Sequence, residues 1–187
     1  MNEWVLVSLL VLAASFMILE MRGVNVVLEL KFKGDIKRES QWLAQFGQAV
    51  ATVSASALIY AFEPNDWKKP LAVCATVLSA SLSVYIIKRL TGRVRPRREN
   101  AGKFLGPSWT HANWRESFPS SHSACAIALS VSLSILYPQA MTVFWSLGII
   151  TALLRYLMDA HWPSDVLCGI AWGYFVGHVG MKLWGFE

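Results

Sequence analysis

The chain has 187 residues, of which 55% are hydrophobic and 16% charged, with nine Trp and a formal net charge of +5. That is too apolar and too lightly charged for an ordinary soluble domain of this length, so a membrane protein is the first class to test and no nucleic-acid partner is expected. A bilayer core about 30 Å thick takes roughly 20 apolar residues at about 1.5 Å rise each. Six runs approach that length: 4–20, 46–62, 70–87, 120–137, 140–158 and 165–184. None carries a charge near its middle, where burying one costs most. The expected fold is all-α, a polytopic membrane helical bundle of about six transmembrane helices forming one domain over residues 1–187.

In chain order, the N-terminus ahead of the first run has an acidic residue, Glu3, in place of a basic n-region, and no clear small-residue cleavage site follows the run, so it reads as a retained span and not a signal peptide. The stretch 22–42, RGVNVVLELKFKGDIKRESQW, mixes apolar and charged residues without a clean period and reads as an interfacial helix or a membrane-surface loop. In the third run Ala72, Ala75, Ser79 and Ser83 recur at helical spacing, and in the sixth Gly169, Gly173 and Gly177 form a doubled small-xxx-small pattern; both are expected packing faces. Cys74, Cys125 and Cys168 fall inside runs at scattered spacing, which suits small buried hydrophobes and no disulfide framework. The longest polar stretch, 88–118, separates the third run from the fourth.

If each run crosses the membrane, two crossings separate residues 88–122 from residues 155–165, and both segments share one face. On that face stand Lys88, Arg95 and Arg155, then Ser120, Ser121 and His122, then His161 and Asp165. Lys88 and Arg95 are seven apart, so a helix continuing past Lys88 would carry both on one side two turns apart, with Pro96 stopping it soon after. Three cations, one of them a compact ammonium and two of them forks that match phosphate oxygens, suit a phosphoryl group. Ser120 or Ser121 is placed to cap the fourth helix, whose free N–H groups and positive dipole end favour an anion.

His161 and Asp165 are four apart at the entry to the sixth run. An Asp that holds one imidazole nitrogen leaves the other basic, ready for attack or proton transfer. His122 would take the opposite role and protonate a departing oxygen. The same histidines as metal ligands are disfavoured, because only Asp159 and Asp165 lie near them and three cations would repel a divalent ion; no metal or cofactor is expected. Arg89, Arg93, Arg97, Arg98 and Lys103 read as solvated or headgroup-contacting charge. Asp159 reads as a salt-bridge partner of Arg155, Trp109 and Trp114 as interfacial anchors of the loop, His178 as a buried helix contact and His111 as a loop residue.

Together the segments resemble the type 2 phosphatidic acid phosphatase superfamily, whose signature is K-x6-RP, then PSGH, then SR-x5-H-x3-D. Here it runs Lys88 through Arg95-Pro96, Pro119-Ser120-Ser121-His122, and Arg155 through His161 to Asp165, with Ser121 in place of the usual glycine and Leu154 in place of the usual serine. The resemblance implies that His161 attacks phosphorus to give a phosphohistidine and that Asp165 orients it. It implies that His122 serves the leaving oxygen and then the water, and that Lys88, Arg95, Ser120, Arg155 and a backbone N–H at Ser121 or His122 hold the phosphoryl oxygens.

A phosphate site at the membrane surface of a chain with almost no extramembrane domain points to a lipid phosphomonoester or diphosphate: phosphatidic acid, phosphatidylglycerol phosphate, polyprenyl diphosphate or lipid A phosphate. The alternatives are a phosphatase or phosphotransferase for soluble phosphate esters, and a non-catalytic phosphate- or lipid-binding membrane protein or transporter. The expected setting is a bacterial inner membrane. Fourteen of the 17 Lys and Arg fall on the site face, with Lys68, Lys69 and Lys182 on the other, which by the positive-inside rule favours the cytoplasm; the resemblance favours the extracytoplasmic face, which is the orientation expected.

Overall fold

The structure, a computed structural model, describes residues 1–186 except Asn25, Glu29, Lys31, His111, Asp159 and Ala160. The expected roles of Asp159 and His111 therefore lie outside the described residues. Seven α-helices account for most of the chain: α1 (Glu3–Met21), α2 (Gly34–Leu43), α3 (Ala49–Phe62), α4 (Lys68–Thr91), α5 (Ser121–Leu136), α6 (Met141–Leu157) and α7 (Pro163–Leu183).

Four helices are long and apolar enough to cross a membrane: α1, α4, α7, and α6 with the turn before it. The expected second span is a bent pair, in which residues Gly34–Gly47 and Ala49–Phe62 meet at 60°. Gln48, in extended conformation, breaks the helix there. A Cβ on Gly47 would stand 2.4 Å from the His122 carbonyl oxygen, so the elbow packs directly on the start of α5. α5 has 16 residues, about 24 Å of helix, which falls short of a bilayer core of about 30 Å. It does not need to match lipid, because Ser123 through Ser134 are buried among α4, α6 and α7. The bundle is thus all-helical as expected, and a count of six spans is approximate.

Three buried serines inside α5, Ser123, Ser130 and Ser132, each reach an acceptor, whereas Ser134 Oγ meets none among the described residues. Ser132 Oγ donates to the Ala128 carbonyl at 2.8 Å, and Ser130 Oγ lies 2.9 Å from the Ala126 carbonyl and 2.7 Å from that of Phe144 in α6. The glycine pattern of α7 is the α5 contact: a Cβ at Gly169 would meet the Ser120 carbonyl at 2.6 Å, one at Gly173 the Ala124 carbonyl at 2.2 Å, and one at Gly177 the Val131 Cβ at 2.8 Å. The small-residue face expected on α4 packs inward only in part: Ala72 is buried and Ala75 half-buried. Val73, Thr76, Val77, Ala80, Val84 and Lys88 are buried, whereas Ser79 is exposed and Ser83 half-buried. Larger residues pack inward there because α4 meets α5 through side chains, while Ser79 faces outward and back-bonds to its own helix and Ser83 accepts from Trp172 Nε1 of α7 at 2.7 Å. The three cysteines are free.

α1 lies against α7 with Ala13 as its one buried residue among those described, so most of its length faces lipid. Its C-terminus, the C-termini of α4 and α6 and the N-termini of α5 and α7 gather at one end of the bundle. The segment 92–120 folds over that end.

Candidate active site

The overlying segment starts where α4 stops. Gly92 adopts φ +58°, a left-handed C-cap that residues with a side chain rarely take, and a Cβ there would also sit 2.3 Å from the Gly106 carbonyl oxygen. Arg95 is consequently not on a helix with Lys88, as the seven-residue spacing suggested. The two converge all the same: Lys88 Nζ donates to the Glu116 carbonyl at 2.6 Å, and Arg95 Nη2 lies 3.5 Å from the same oxygen while its Nε donates to the Asn113 carbonyl at 2.8 Å. Burial lowers the Arg95 pKa, with Asp165 and Glu116 opposing the shift.

Arg155 occupies the last turn of α6, where a cation is favoured by the helix dipole, and its buried Nε meets no hydrogen-bond partner among the described residues. Lys88, Arg95 and Arg155 all act electrostatically on His122. Ser120 is the N-cap of α5 and fully buried; its Oγ accepts from Ser123 Oγ at 2.8 Å, and its N–H donates to the Asp165 carbonyl at 3.0 Å. Ser121 and His122, each half-buried, follow as the first two helical residues.

His161 is buried between α6 and α7. Its Nδ1 lies 2.8 Å from the Ser117 carbonyl and 3.8 Å from Asp165 Oδ2. A carbonyl only accepts, so Nδ1 carries the proton and Nε2 keeps its lone pair. Asp165 was expected to hold the imidazole directly, but it stands off and makes shorter bonds elsewhere. Arg93 Nη1 donates to its Oδ1 at 2.5 Å, while Ser117 Oγ at 2.5 Å and the Trp162 N–H at 3.0 Å donate to its Oδ2. Burial drives the His161 pKa down to about 3; Asp165 opposes this, and Lys88 and Arg95 reinforce it. The imidazole is therefore neutral at physiological pH.

Two arginines depart from the sequence reading. Arg93, expected in solvent or among headgroups, is wholly buried and lies between Glu20 and Asp165, with Phe104 and Trp162 rings over its guanidinium. Arg89 is buried on Glu116 at 3.3 Å and donates to the Thr110 carbonyl at 2.7 Å. A cation one or two turns from a span normally snorkels; Arg89 is turned inward by the Thr110 carbonyl and Glu116 carboxylate of the overlying segment, and Arg93 by the carboxylates of Glu20 on α1 and Asp165 on α7. Glu20, Arg93 and Ser117 thus adjoin the site without having been expected there. Trp109 is exposed at the end of the bundle, and His178 lies far from the site, with Nδ1 3.0 Å from the Tyr174 carbonyl.

The family model for the PAP2 superfamily matches residues 69–186. Lipid A 1-phosphatases of Rhizobium johnstonii and Rhizobium etli are 33% and 36% identical over 99 and 100 residues, 52% of this chain in each case and 41% and 43% of theirs. The chain thus spans about two fifths of the length of these relatives. A decaprenylphosphoryl-5-phosphoribose phosphatase of Mycolicibacterium smegmatis is 31% identical over 136 residues, 68% of this chain and 67% of that one. The crystal structure of a transmembrane PAP2-type phosphatidylglycerolphosphate phosphatase from Bacillus subtilis superposes with a TM-score of 0.61 at 16% identity, covering 95% of this chain and 92% of that one, which is a likeness of fold.

Proposed function

We propose, from the premise that the chain belongs to the PAP2 superfamily, that it is a multi-pass membrane phosphatase that removes phosphate from a lipid phosphomonoester or diphosphate. The observation that carries this reading is His161: buried at the membrane end of the bundle, its Nδ1 bound to a backbone carbonyl at 2.8 Å, its Nε2 unprotonated, with Lys88 and Arg95 acting on it electrostatically. A site built only to bind phosphate would gain nothing from a buried neutral imidazole of fixed tautomer.

In the proposed reaction His161 Nε2 attacks phosphorus while the bond to the lipid oxygen breaks, and that oxygen takes a proton from His122, which is charged when the negative charge of the bound phosphate offsets Lys88, Arg95 and Arg155 around it. The phosphohistidine is then hydrolysed. His122, now neutral, accepts a proton from water as the water oxygen attacks phosphorus, releasing inorganic phosphate and restoring His161. Lys88, Arg95, Arg155, Ser120 and the N–H groups at the start of α5 hold the equatorial oxygens, whose charge they stabilise in the transition state. Ser121 serves there through its backbone, at the position where its relatives' pattern has glycine. Asp165 is already engaged by Arg93, Ser117 and Trp162, which supports a reaction without a metal ligand at that carboxylate.

The lipid reading draws support from the names of three relatives, phosphatases of lipid A or of a decaprenylphosphoryl phosphoribose, and from the apolar groove lined by Ile87, Phe118, Pro119 and Trp172, which ends next to Ser120. The proposed location is a bacterial inner membrane with the site on the extracytoplasmic face.

The test is phosphate release by purified protein in detergent micelles containing EDTA, over a panel of lipid monophosphates, lipid diphosphates and a water-soluble ester. Release from one lipid class well above the soluble ester is expected. Equal rates on the soluble ester would overturn the lipid assignment, and activity that vanishes with chelation would overturn the mechanism. Accessibility of a C-terminal tag in intact cells checks the orientation; a tag reached from outside would contradict it.

A further inference from the structure

Glu20 is a carboxylate in the last turn of a helix that otherwise faces lipid. A negative charge at a helix C-terminus opposes the dipole of that helix, and its side chain is only 1% exposed, so something must compensate it. Three donors do. Arg93 Nη2 reaches Oε2 at 2.7 Å, Ser164 Oγ reaches Oε2 at 2.5 Å, and the Ser164 N–H reaches Oε1 at 3.1 Å. Ser164 is the second residue of α7, so Glu20 supplies from α1 the anion that the N-terminus of α7 favours.

The same contacts lead to the imidazole. Arg93 turns its other nitrogen, Nη1, to Ser164 Oγ at 2.7 Å and Asp165 Oδ1 at 2.5 Å. Asp165 then presents Oδ2 to Ser117 Oγ at 2.5 Å and to His161 Nδ1 at 3.8 Å. One cation is thus divided between two buried carboxylates. Without the charge on Glu20, Arg93 would compensate Asp165 alone, weakening the negative field that Asp165 exerts on His161, and Ser164 would have one neutral acceptor oxygen in place of the two carboxylate oxygens that fix the first turn of α7.

We propose that Glu20 is a positioning residue for the reaction, acting through Arg93 and Ser164 to keep Asp165 only partly neutralised and correctly placed behind His161. The inference rests on the hydrolytic reading above. It differs from a purely structural role, in which Glu20 merely ties α1 to the bundle: such a role would change the amount of folded protein and its melting temperature but leave kcat per folded molecule alone.

The experiment compares Glu20→Gln, which removes the charge at constant size, and Glu20→Asp, which keeps the charge and withdraws it by one methylene, with wild type and with Glu3→Gln at the other end of α1. The reading is kcat and KM on a lipid phosphate and on a soluble phosphate ester, per folded molecule, alongside thermal melts. The expected result is a kcat lowered about tenfold or more in Glu20→Gln with KM within about twofold on both substrates, partial recovery in Glu20→Asp, and wild-type values in Glu3→Gln. Wild-type kcat in Glu20→Gln, at whatever melting temperature, would overturn the proposal. If the Gln variant does not fold, Glu20→Asp decides: a lowered kcat at unchanged KM supports the proposal, and full kcat with only a lowered melting temperature overturns it. A wild type that releases no phosphate from any substrate would fail the hydrolytic reading and this inference with it, whereas an active wild type with an unaffected Glu20→Gln fails the inference alone.

Discussion

The two ends of the bundle both carry charge, and they handle it differently. At the end away from the site, Lys69 pairs with Glu63 and lies 3.4 Å from Asp66, and Tyr137 donates to Glu63 at 2.8 Å; the Lys69, Glu63 and Asp66 side chains keep 23%, 33% and 42% of their exposure. At the site end Arg93, Glu20 and Asp165 retain none or almost none. Water screens the first cluster and makes it nearly dispensable. The second has no solvent to fall back on, so each member depends on the others. Buried charge is costly to assemble and is tolerated where it fixes a geometry, and the geometry it fixes here is that of His161.

That contrast can be broken or sharpened by substitution. The largest effect is expected from His161→Ala, which should abolish phosphate release while leaving the thermal melt cooperative; residual turnover near wild type would remove the imidazole from the chemistry. Next is Arg93→Leu, which strands two carboxylates and should cost about 3–5 kcal/mol of stability, measured as loss of cooperative melting or of monodisperse protein in detergent. Gly173→Ala forces a methyl toward the Ala124 carbonyl at 2.2 Å; separating α5 from α7 should cost about 1–3 kcal/mol and lower both melting temperature and activity, since Ser120 and Asp165 stand at the mouths of those helices.

A smaller effect comes from protons. Folded His161 stays neutral down to about 3, whereas the unfolded imidazole protonates near 6.5. Protons therefore bind the unfolded chain preferentially, so this contribution to stability is complete above about pH 6.5 and is lost as the pH falls toward 3. His161→Gln should flatten that part of the melting-temperature profile. For the same reason an acid limb in kcat/KM between pH 5 and 8 is not expected to report His161. The smallest effect is expected at the far end, where Lys69→Gln should leave both activity and melting temperature close to wild type.

The sequence was most legible where chemistry depends on local spacing. The α7 glycines declare a close helix contact because a four-residue interval keeps them on one face, and the motif residues Lys88, Arg95, Ser120, His122, Arg155, His161 and Asp165 do meet at one end of the bundle. What could not be read depends on long-range closure. Glu20 and Arg93 are 73 positions apart and belong to no common period. The carbonyl of Ser117 that binds His161 belongs to a backbone group any residue could supply. Arg89 and Arg93 look solvated in the sequence because their partners, Thr110 and Glu116 for the first and Glu20 and Asp165 for the second, all lie far along the chain. The α4 face is legible only in part for a related reason: small residues mark a packing face only where backbones approach, and α4 meets α5 mainly through larger side chains, which leaves Ser79 exposed. The bend at Gln48 follows from the contact between Gly47 and His122, again a partner far along the chain.

The burial of α5 has a consequence for how the membrane acts on the protein. A helix in contact with lipid must tilt, stretch its interface or oligomerise when bilayer thickness changes, but α5, shorter than the hydrocarbon core and wrapped by its neighbours, is shielded from hydrophobic mismatch. Ser120 and His122 stand at its first turn, locked to α7 through the Asp165 carbonyl and the Gly169 contact. The depth of these two side chains is thus set by protein packing, like an instrument mounted on an inner frame, while α1 and the other outer helices absorb the deformation. Turnover in nanodiscs of short- and long-chain lipids should accordingly vary less than the tilt of α1.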